Sequence, residues 1–313
     1  MELKEYLISE FVEEYVERHM TRREALRRIA GLVGNMALAT GILAACGPQK
    51  PPEPSPQASV TGAPVLPTAT PASPRVAADD AAIEAQAVQF SGTGATILGY
   101  LAKPKGNGPF YGVLVCHENR GLLEHIKDVT RRVAKAGYVG LAVDLLSRQG
   151  GTDKITDAAQ VPGILGNASE DQMVGDFRSG WSYLQTLPYV RKEGPGMVGF
   201  CFGGGITWRV ATKMPELKAA VPFYGPNPSN LAEVQNINAA VLGIYGEQDQ
   251  RIDAGIPAME EAMKKDGKTF EKIIYPNAGH AFYNDTGQSY REDAARDAWA
   301  KTLAWFDKYL KAM

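Results

Sequence analysis

Short apolar runs recur along residues 85–312, and each is followed by a turn rich in glycine or polar residues and then by a segment with helical spacing. Apolar runs of about four to eight residues with such boundaries are typical of buried strands. Strands that alternate with helices indicate an α/β fold with a doubly wound, mostly parallel sheet and helices on both faces. We predict strands at 111–116, 138–143, 197–198, 217–223, 239–245 and 270–275, helices at 123–135, 170–187, 206–214 and 291–310, and an opening hairpin at 87–102.

One strand-to-helix junction carries a reactive side chain. The sequence Gly199-Phe200-Cys201-Phe202-Gly203-Gly204 follows the apolar pair at 197–198 and precedes the predicted helix. This is the nucleophile-elbow pattern with cysteine in place of the usual serine, and its glycines suit a strained turn. The start of a helix would favour the thiolate of Cys201. The alternative interpretation is a buried structural cysteine in a glycine-rich turn.

Two further polar residues follow strands in the order that a catalytic triad requires. Asp249 comes just after the apolar run 239–245, and His280 lies in the loop after the strand 270–275. The chain order nucleophile, acid, base is that of hydrolases with this elbow. Asp253 is a rival acid, but it lies further from the strand end. Each residue alone is typical of an ordinary loop; the three together predict a thiol activated by an imidazole and a carboxylate.

On these residues the chain resembles the dienelactone hydrolase family of the α/β-hydrolase fold. The likeness covers about residues 85–312. It rests on the cysteine elbow and on the segments Gly246-Glu247-Gln248-Asp249, Gly279-His280-Ala281-Phe282, Glu118-Asn119 and Asp144-Leu145-Leu146-Ser147-Arg148.

The resemblance implies further roles around the nucleophile. Glu118 would contact the resting Cys201, and the backbone N–H groups of Asn119 and Phe202 would form the oxyanion hole. Arg148 would pair with a substrate carboxylate, with an ordinary surface arginine as the alternative. The chain departs from the family pattern where a second such arginine is expected, because Asn284 stands there.

The implied reaction is hydrolysis of a small-molecule ester or lactone through a thioester on Cys201, which needs no metal or organic cofactor. The four histidines have no metal-ligand spacing with cysteine, so no metal site is predicted. Two alternatives remain open. One is a broader acyl hydrolase, a peptidase or a lipid or polyester esterase, on the same fold. The other is a non-catalytic lipoprotein that binds a ligand.

The first 46 residues have the order of an export signal. The segment 21–27 (Thr-Arg-Arg-Glu-Ala-Leu-Arg) resembles a twin-arginine motif, a mildly apolar stretch follows at 29–45, and Leu43-Ala44-Ala45-Cys46-Gly47 resembles a lipobox. We therefore predict export through that machinery and lipidation of Cys46. Residues 1–20 form an acidic, amphipathic pattern that the sequence assigns neither to recognition nor to packing.

The sequence thus predicts three parts: an export signal at 1–46, a Pro/Ala/Ser/Thr-rich tether at 47–80 and a hydrolase domain at 81–313. The predicted location is the cell envelope or beyond it, with the membrane reached by the lipid anchor alone. A net charge of −2 gives no reason to expect a nucleic-acid partner. Besides Cys46, only Cys116 and Cys201 remain; Cys116 is predicted to be buried filler, with a protective disulfide as the minority alternative.

Overall fold

The computed structural model describes residues 2–16, 20–46 and 76–311, and its centre is one eight-stranded sheet. The strand order is β1-β2-β4-β3-β5-β6-β7-β8. The first two strands run antiparallel to their neighbours, and the other pairings are parallel. The strands are β1 (Ile83–Gly92), β2 (Ala95–Pro104), β3 (Gly112–Cys116), β4 (Val139–Asp144), β5 (Gly196–Phe200), β6 (Ala219–Phe223), β7 (Ala240–Gly246) and β8 (Phe270–Tyr275).

Helices connect the strands and cover the sheet. They are α1 (Leu3–Val16), α2 (Arg22–Val33), α3 (Met36–Cys46), α4 (Glu124–Lys135), α5 (Val161–Asn167), α6 (Glu170–Thr186), α7 (Phe202–Lys213), α8 (Gln250–Asp253), α9 (Ile256–Lys265) and α10 (Glu292–Phe306). Single helical turns occur at Ser147–Gln149, Thr152–Lys154, Ala158–Gln160, Leu231–Asn236 and Asp307–Lys311.

The central parallel strands are buried on both sides, which explains why they are apolar throughout. Every residue of β3 to β7 is buried. A Cβ placed on Gly180 of α6 would lie 3.2 Å from Val143, whereas one placed on Gly140 would lie 2.9 Å from the carbonyl oxygen of Thr130 of α4. Residues 140 and 143 point to opposite faces of β4. Helices α4 and α6 therefore cover opposite faces, and the predicted doubly wound α/β fold is confirmed.

The N-terminal helices α1 and α2 lie against this domain. Helix α2 packs on α5 so closely that a Cβ on Gly163 would lie 3.0 Å from the backbone of Gly31. Helix α1 contacts α2, α5 and α7. No helix in the described ranges is both long and apolar enough to cross a membrane. Nearly all of the predicted tether, up to residue 75, lies outside the described residues.

Candidate active site

The predicted elbow has the backbone geometry of a strained turn. Cys201 lies between β5 and α7 with φ 59° and ψ −122°, a conformation that non-glycine residues rarely adopt. A Cβ on Gly199 would lie 2.2 Å from the carbonyl oxygen of Gly203. Only glycine fits there, because the chain folds back on itself within one helical turn. The side chain of Cys201 therefore projects beyond the carboxyl edge of the sheet.

The loop after β3 is held directly beside this elbow. Cys116 pairs with Gly199 in the parallel ladder, so β3 and β5 end at the same level. A Cβ on Gly203 would lie 2.4 Å from the carbonyl oxygen of His117, so the start of α7 touches the loop backbone. This contact brings Asn119, which is buried, next to the turn that carries Cys201.

Two more loops at the same edge carry the predicted acid and the predicted base. Asp249 follows β7, and His280 follows β8. The N–H of Gln248 donates to the carbonyl oxygen of Ala278 at 2.9 Å, which ties the two loops together through their backbones. The side chain of Glu247 reinforces the tie by accepting from the N–H of Asn277 at 2.9 Å.

The structure brings the three predicted residues together. His280 Nδ1 lies 2.5 Å from Asp249 Oδ2, and Asp249 is buried. A ring nitrogen of His280 and the Sγ of Cys201 lie within 4.8 Å of each other. The hydroxyl of Tyr6 lies between them, 3.2 Å from Sγ and 3.3 Å from His280 Nε2. The rival Asp253 makes no such contact with the imidazole.

The electrostatics of the site raise the pKa of both the imidazole and the thiol. Burial opposes the charged form of His280, but the Asp249 carboxylate outweighs it and raises the histidine pKa well above its usual value. Burial, and after it the Glu10 carboxylate, raises the pKa of Cys201 to about 11. The expected thiolate at the helix start is therefore not favoured in this arrangement, because a carboxylate and a dry environment surround the sulfur.

Comparison with known proteins assigns the chain to a family. The sequence profile described as the dienelactone hydrolase family matches residues 97–310. The chain belongs to this family. A Methylorubrum extorquens protein provisionally named carboxymethylenebutenolidase is 38% identical over 223 residues, which is 67% of this chain and 76% of that protein. An Escherichia coli K12 protein with the same provisional name is 34% identical over 258 residues, covering 78% and 94% of the two chains.

Solved structures support the assignment. A Klebsiella pneumoniae protein provisionally named dienelactone hydrolase is 33% identical with a TM-score of 0.68, covering 73% of this chain and all of that one. A dienelactone hydrolase-like promiscuous phosphotriesterase from metagenomic libraries is 25% identical with a TM-score of 0.65, covering 73% and 99%. Membership of the dienelactone hydrolase family makes the chain an ester or lactone hydrolase.

The family-based expectation for Glu118 needs correction. Glu118 accepts a hydrogen bond from the amide of Asn284 at 2.7 Å, and its other oxygen has no hydrogen-bond partner in the structure. The carboxylate that contacts the resting sulfur is Glu10, with Oε1 3.4 Å from Cys201 Sγ. Glu10 is held there by the side-chain amide of Asn119, which donates to it at 2.8 Å. Helix α1 thus supplies the contact that was expected from Glu118.

Arg148 is also engaged differently from the expectation. Its guanidinium binds the buried carboxylate of Asp176 at 2.7 and 3.0 Å and donates to the carbonyl oxygen of Thr93 at 3.1 Å. It borders a different cavity from the one that reaches Cys201. A buried carboxylate needs such a partner, so this arginine serves the fold here. The exposed Arg120 borders the cavity at Cys201 instead.

That cavity has a volume of about 330 Å³ and lies between the N-terminal helices and the catalytic loops. Its walls combine Cys201, His280 and Asn284 with residues of α1 and α2. Among the described residues, one group of three side chains has metal-ligand spacing, namely Glu10, Cys201 and His280. It includes both the thiol and the imidazole, so a cation bound there would block them.

In the described part of the chain, two further histidines and the second thiol have structural partners. His117 Nδ1 donates to the carbonyl oxygen of Glu118 at 2.7 Å, and its Nε2 accepts from the N–H of Leu145 at 3.2 Å. His125 pairs with Asp285 at 3.1 Å. Cys116 and Cys201 are both free thiols, so the structure contains no disulfide between them. Burial raises the pKa of Cys116 well above its usual value, which fits a packing role.

Sequence analysis did not predict that residues of α1 lie in the site. The amphipathic spacing of residues 3, 7, 11 and 15 indicated a helix, but Tyr6 and Glu10 lay outside that stripe. Tyr6 and Glu10 are one turn apart and therefore share a face of the helix. This spacing is the one sequence signal that could have indicated that they act at the same site.

Proposed function

We propose that this hydrolase cleaves its ester or lactone substrate with Cys201 as nucleophile, His280 as base and Asp249 as the carboxylate that orients the imidazole. One observation carries the proposal: three side chains from three separate loops meet at the carboxyl edge of the sheet, with Asp249 2.5 Å from His280 Nδ1. That contact leaves Nε2 as the nitrogen facing the thiol, as a general base requires.

The proposed reaction has two steps. The Cys201 sulfur attacks the carbonyl carbon while its proton passes to His280 Nε2, and the backbone N–H groups of Asn119 and Phe202 receive the developing oxyanion. The imidazolium then gives that proton to the leaving alkoxide as the C–O bond breaks, which leaves a thioester. Water, deprotonated by His280, attacks the thioester, and the C–S bond breaks to release the acid and restore the thiol.

We further propose that a negatively charged substrate group is received by Arg120 and not by Arg148. Arg120 is exposed and borders the cavity that contains Cys201, whereas Arg148 is paired with Asp176. Because Asn284 cannot supply a second cation, the grip on an anion is weaker than a two-arginine site would give. Neutral esters are therefore within the proposed substrate range.

The export signal, lipidation of Cys46 and a location in the cell envelope remain part of this proposal. They are supported by the order of the twin-arginine-like segment, the mildly apolar stretch and the lipobox-like sequence before Gly47. Mass spectrometry of the mature N-terminus tests them: a diacylated or triacylated Cys46 as first residue is expected, and an intact Met1 on the mature protein would contradict them.

A substrate panel with active-site variants tests the catalytic proposal. The panel contains p-nitrophenyl esters, lactones with and without a carboxylate, and a peptide p-nitroanilide. We expect ester and lactone turnover that falls by about 10³-fold or more in Cys201→Ala. The matched control, Cys116→Ala, removes the other buried thiol and should retain turnover. Equal loss in both variants, or turnover confined to the peptide, would overturn the assignment.

A further inference from the structure

Helix α1 fits the catalytic domain by shape as well as by polar contacts. Leu3, Leu7 and Phe11 are buried along one face of the helix. A Cβ on Gly166 of α5 would lie 3.0 Å from Leu7, so the helix rests close to the domain surface. Lys4 adds a hydrogen bond to Asn167 at 3.1 Å. The apolar face of α1 is therefore buried in this contact.

The polar side chains of α1 fill the space in front of the nucleophile. The Tyr6 hydroxyl is within hydrogen-bond distance of both the thiol and the imidazole. The Glu10 carboxylate contacts the same sulfur at 3.4 Å and accepts from Asn119, the residue proposed for the oxyanion hole. Attack on a carbonyl needs the reacting carbon about 3–3.5 Å from the sulfur. The Tyr6 hydroxyl and the Glu10 carboxylate occupy two such positions at the sulfur.

A third contact holds the same helix at the other side of the triad. Arg251 donates to Glu13 at 2.8 Å, and its guanidinium lies 4.6 Å from the centre of the Tyr6 ring. The combined effect is that Cys201 is only 3% exposed. At the carboxyl edge of the sheet, four side chains (Asn119, Cys201, Arg251 and His280) thus contact Tyr6, Glu10 and Glu13 of α1.

We propose that the catalytic cleft is a binding site for helix α1, which acts as an internal ligand and holds the hydrolase inactive until the helix leaves. The proposal rests on the proposed role of Cys201 as nucleophile. The ligand is an amphipathic helix that presents tyrosine and glutamate one turn apart. With the helix bound, the substrate carbon cannot approach the sulfur, and a negative carboxylate opposes formation of the thiolate.

The position of α1 in the chain suggests how it is released. It lies inside the predicted export signal, ahead of the predicted cleavage point before Cys46. Removal of the signal would therefore remove the helix. The thiol would then stay masked from substrates and oxidants until the protein has reached its destination.

Undocking the helix in the full chain tests the proposal. Phe11→Glu places a charge at a buried position of α1 and should release the helix. We expect the iodoacetamide alkylation rate of Cys201 and kcat/KM for a p-nitrophenyl ester to rise together, by about tenfold or more, as the open fraction grows. Val16→Glu, an exposed position of the same helix, is the matched control and should leave both unchanged. Peptide mapping follows Cys201 separately, and an unreactive Cys116 shows that the fold is kept.

A synthetic peptide of residues 2–16, added to the Phe11→Glu variant, should slow both rates again, whereas the peptide carrying Tyr6→Ala should not. Faster alkylation with lower turnover would overturn the proposal, because α1 would then be part of the working site. Unchanged alkylation would overturn it as well. Alkylation needs no substrate, so faster alkylation with no turnover in either the unaltered chain or the Phe11→Glu variant would count against the proposed function and leave the binding of α1 standing.

Discussion

The carboxyl edge of the sheet and helix α1 hold the same sulfur atom by different kinds of contact. At the edge, backbone geometry fixes each catalytic loop: the elbow turns at φ 59°, Gly203 touches His117, and Gln248 bonds to Ala278. None of these contacts can be released without unfolding part of the domain. The site is therefore preorganised before any substrate arrives.

Helix α1 reaches the same atom through the ends of side chains. The Tyr6 hydroxyl and the Glu10 carboxylate are each within hydrogen-bond distance of the sulfur. Side-chain hydrogen bonds contribute about 0.5–1.5 kcal/mol each to stability, with more from charged groups. The proposed catalytic loops are therefore held by the backbone, whereas α1 is held by side chains, namely these polar contacts and the buried Leu3, Leu7 and Phe11.

The largest effect should come from Asp249, the acid of the proposed triad. Asp249→Asn keeps the shape of the side chain but removes the charge that holds His280 in place, so kcat/KM should fall by about 10³-fold or more. The matched control is Asp253→Asn, four residues further on, which should change kcat/KM by less than about threefold because Asp253 does not contact the imidazole. Similar losses of kcat/KM in Asp249→Asn and Asp253→Asn would show that Asp249 is not the carboxylate that orients His280.

The close backbone contact at the elbow leaves no room for an added methyl group. Gly203→Ala would place a Cβ 2.4 Å from the carbonyl oxygen of His117, so we expect a loss of about 1–3 kcal/mol in the free energy of unfolding. Gly175→Ala, in the middle of α6 with open space around it, should be neutral or gain about 0.5–1 kcal/mol. Thermal or urea unfolding measures both. Equal stability of the two variants would contradict a rigid edge.

Sequence reasoning reached the edge of the sheet because its features are local. The apolar runs predicted the strands, and Cys201, Asp249 and His280 each follow one, so the topology alone brings them together. It failed for Glu118 because the residue that contacts the sulfur lies 191 positions away in the chain. It failed for Arg148 because the partner, Asp176, is on α6, and no local pattern announces an ion pair between distant segments.

Removing one charge from α1 should change the thiol without undocking the helix. Glu10→Gln keeps a hydrogen-bonding side chain but loses the negative charge that helps to raise the Cys201 pKa to about 11. The thiolate is the form disfavoured by that charge, so the pKa should fall, by about one unit. The pH profile of iodoacetamide alkylation should shift to lower pH by that amount. Glu5→Gln, an exposed position on the same helix, is the control, and an equal shift there would point to a general effect of net charge.

The smallest expected effect is on KM, and it tests whether Arg120 or Arg148 binds a negatively charged substrate group. In the Phe11→Glu background, Arg120→Gln should raise KM for a carboxylate-bearing ester by about three- to tenfold relative to its neutral analogue, as loss of one exposed charge contact allows. Arg148→Gln should leave that ratio unchanged and lower the unfolding temperature instead, because the buried Asp176 loses its partner. The ratio of the two KM values does not depend on the fraction of enzyme that is active. If Arg148→Gln alters that ratio and Arg120→Gln does not, the substrate anion binds at Arg148 and not at Arg120. Helix α1 would then have no part in substrate choice.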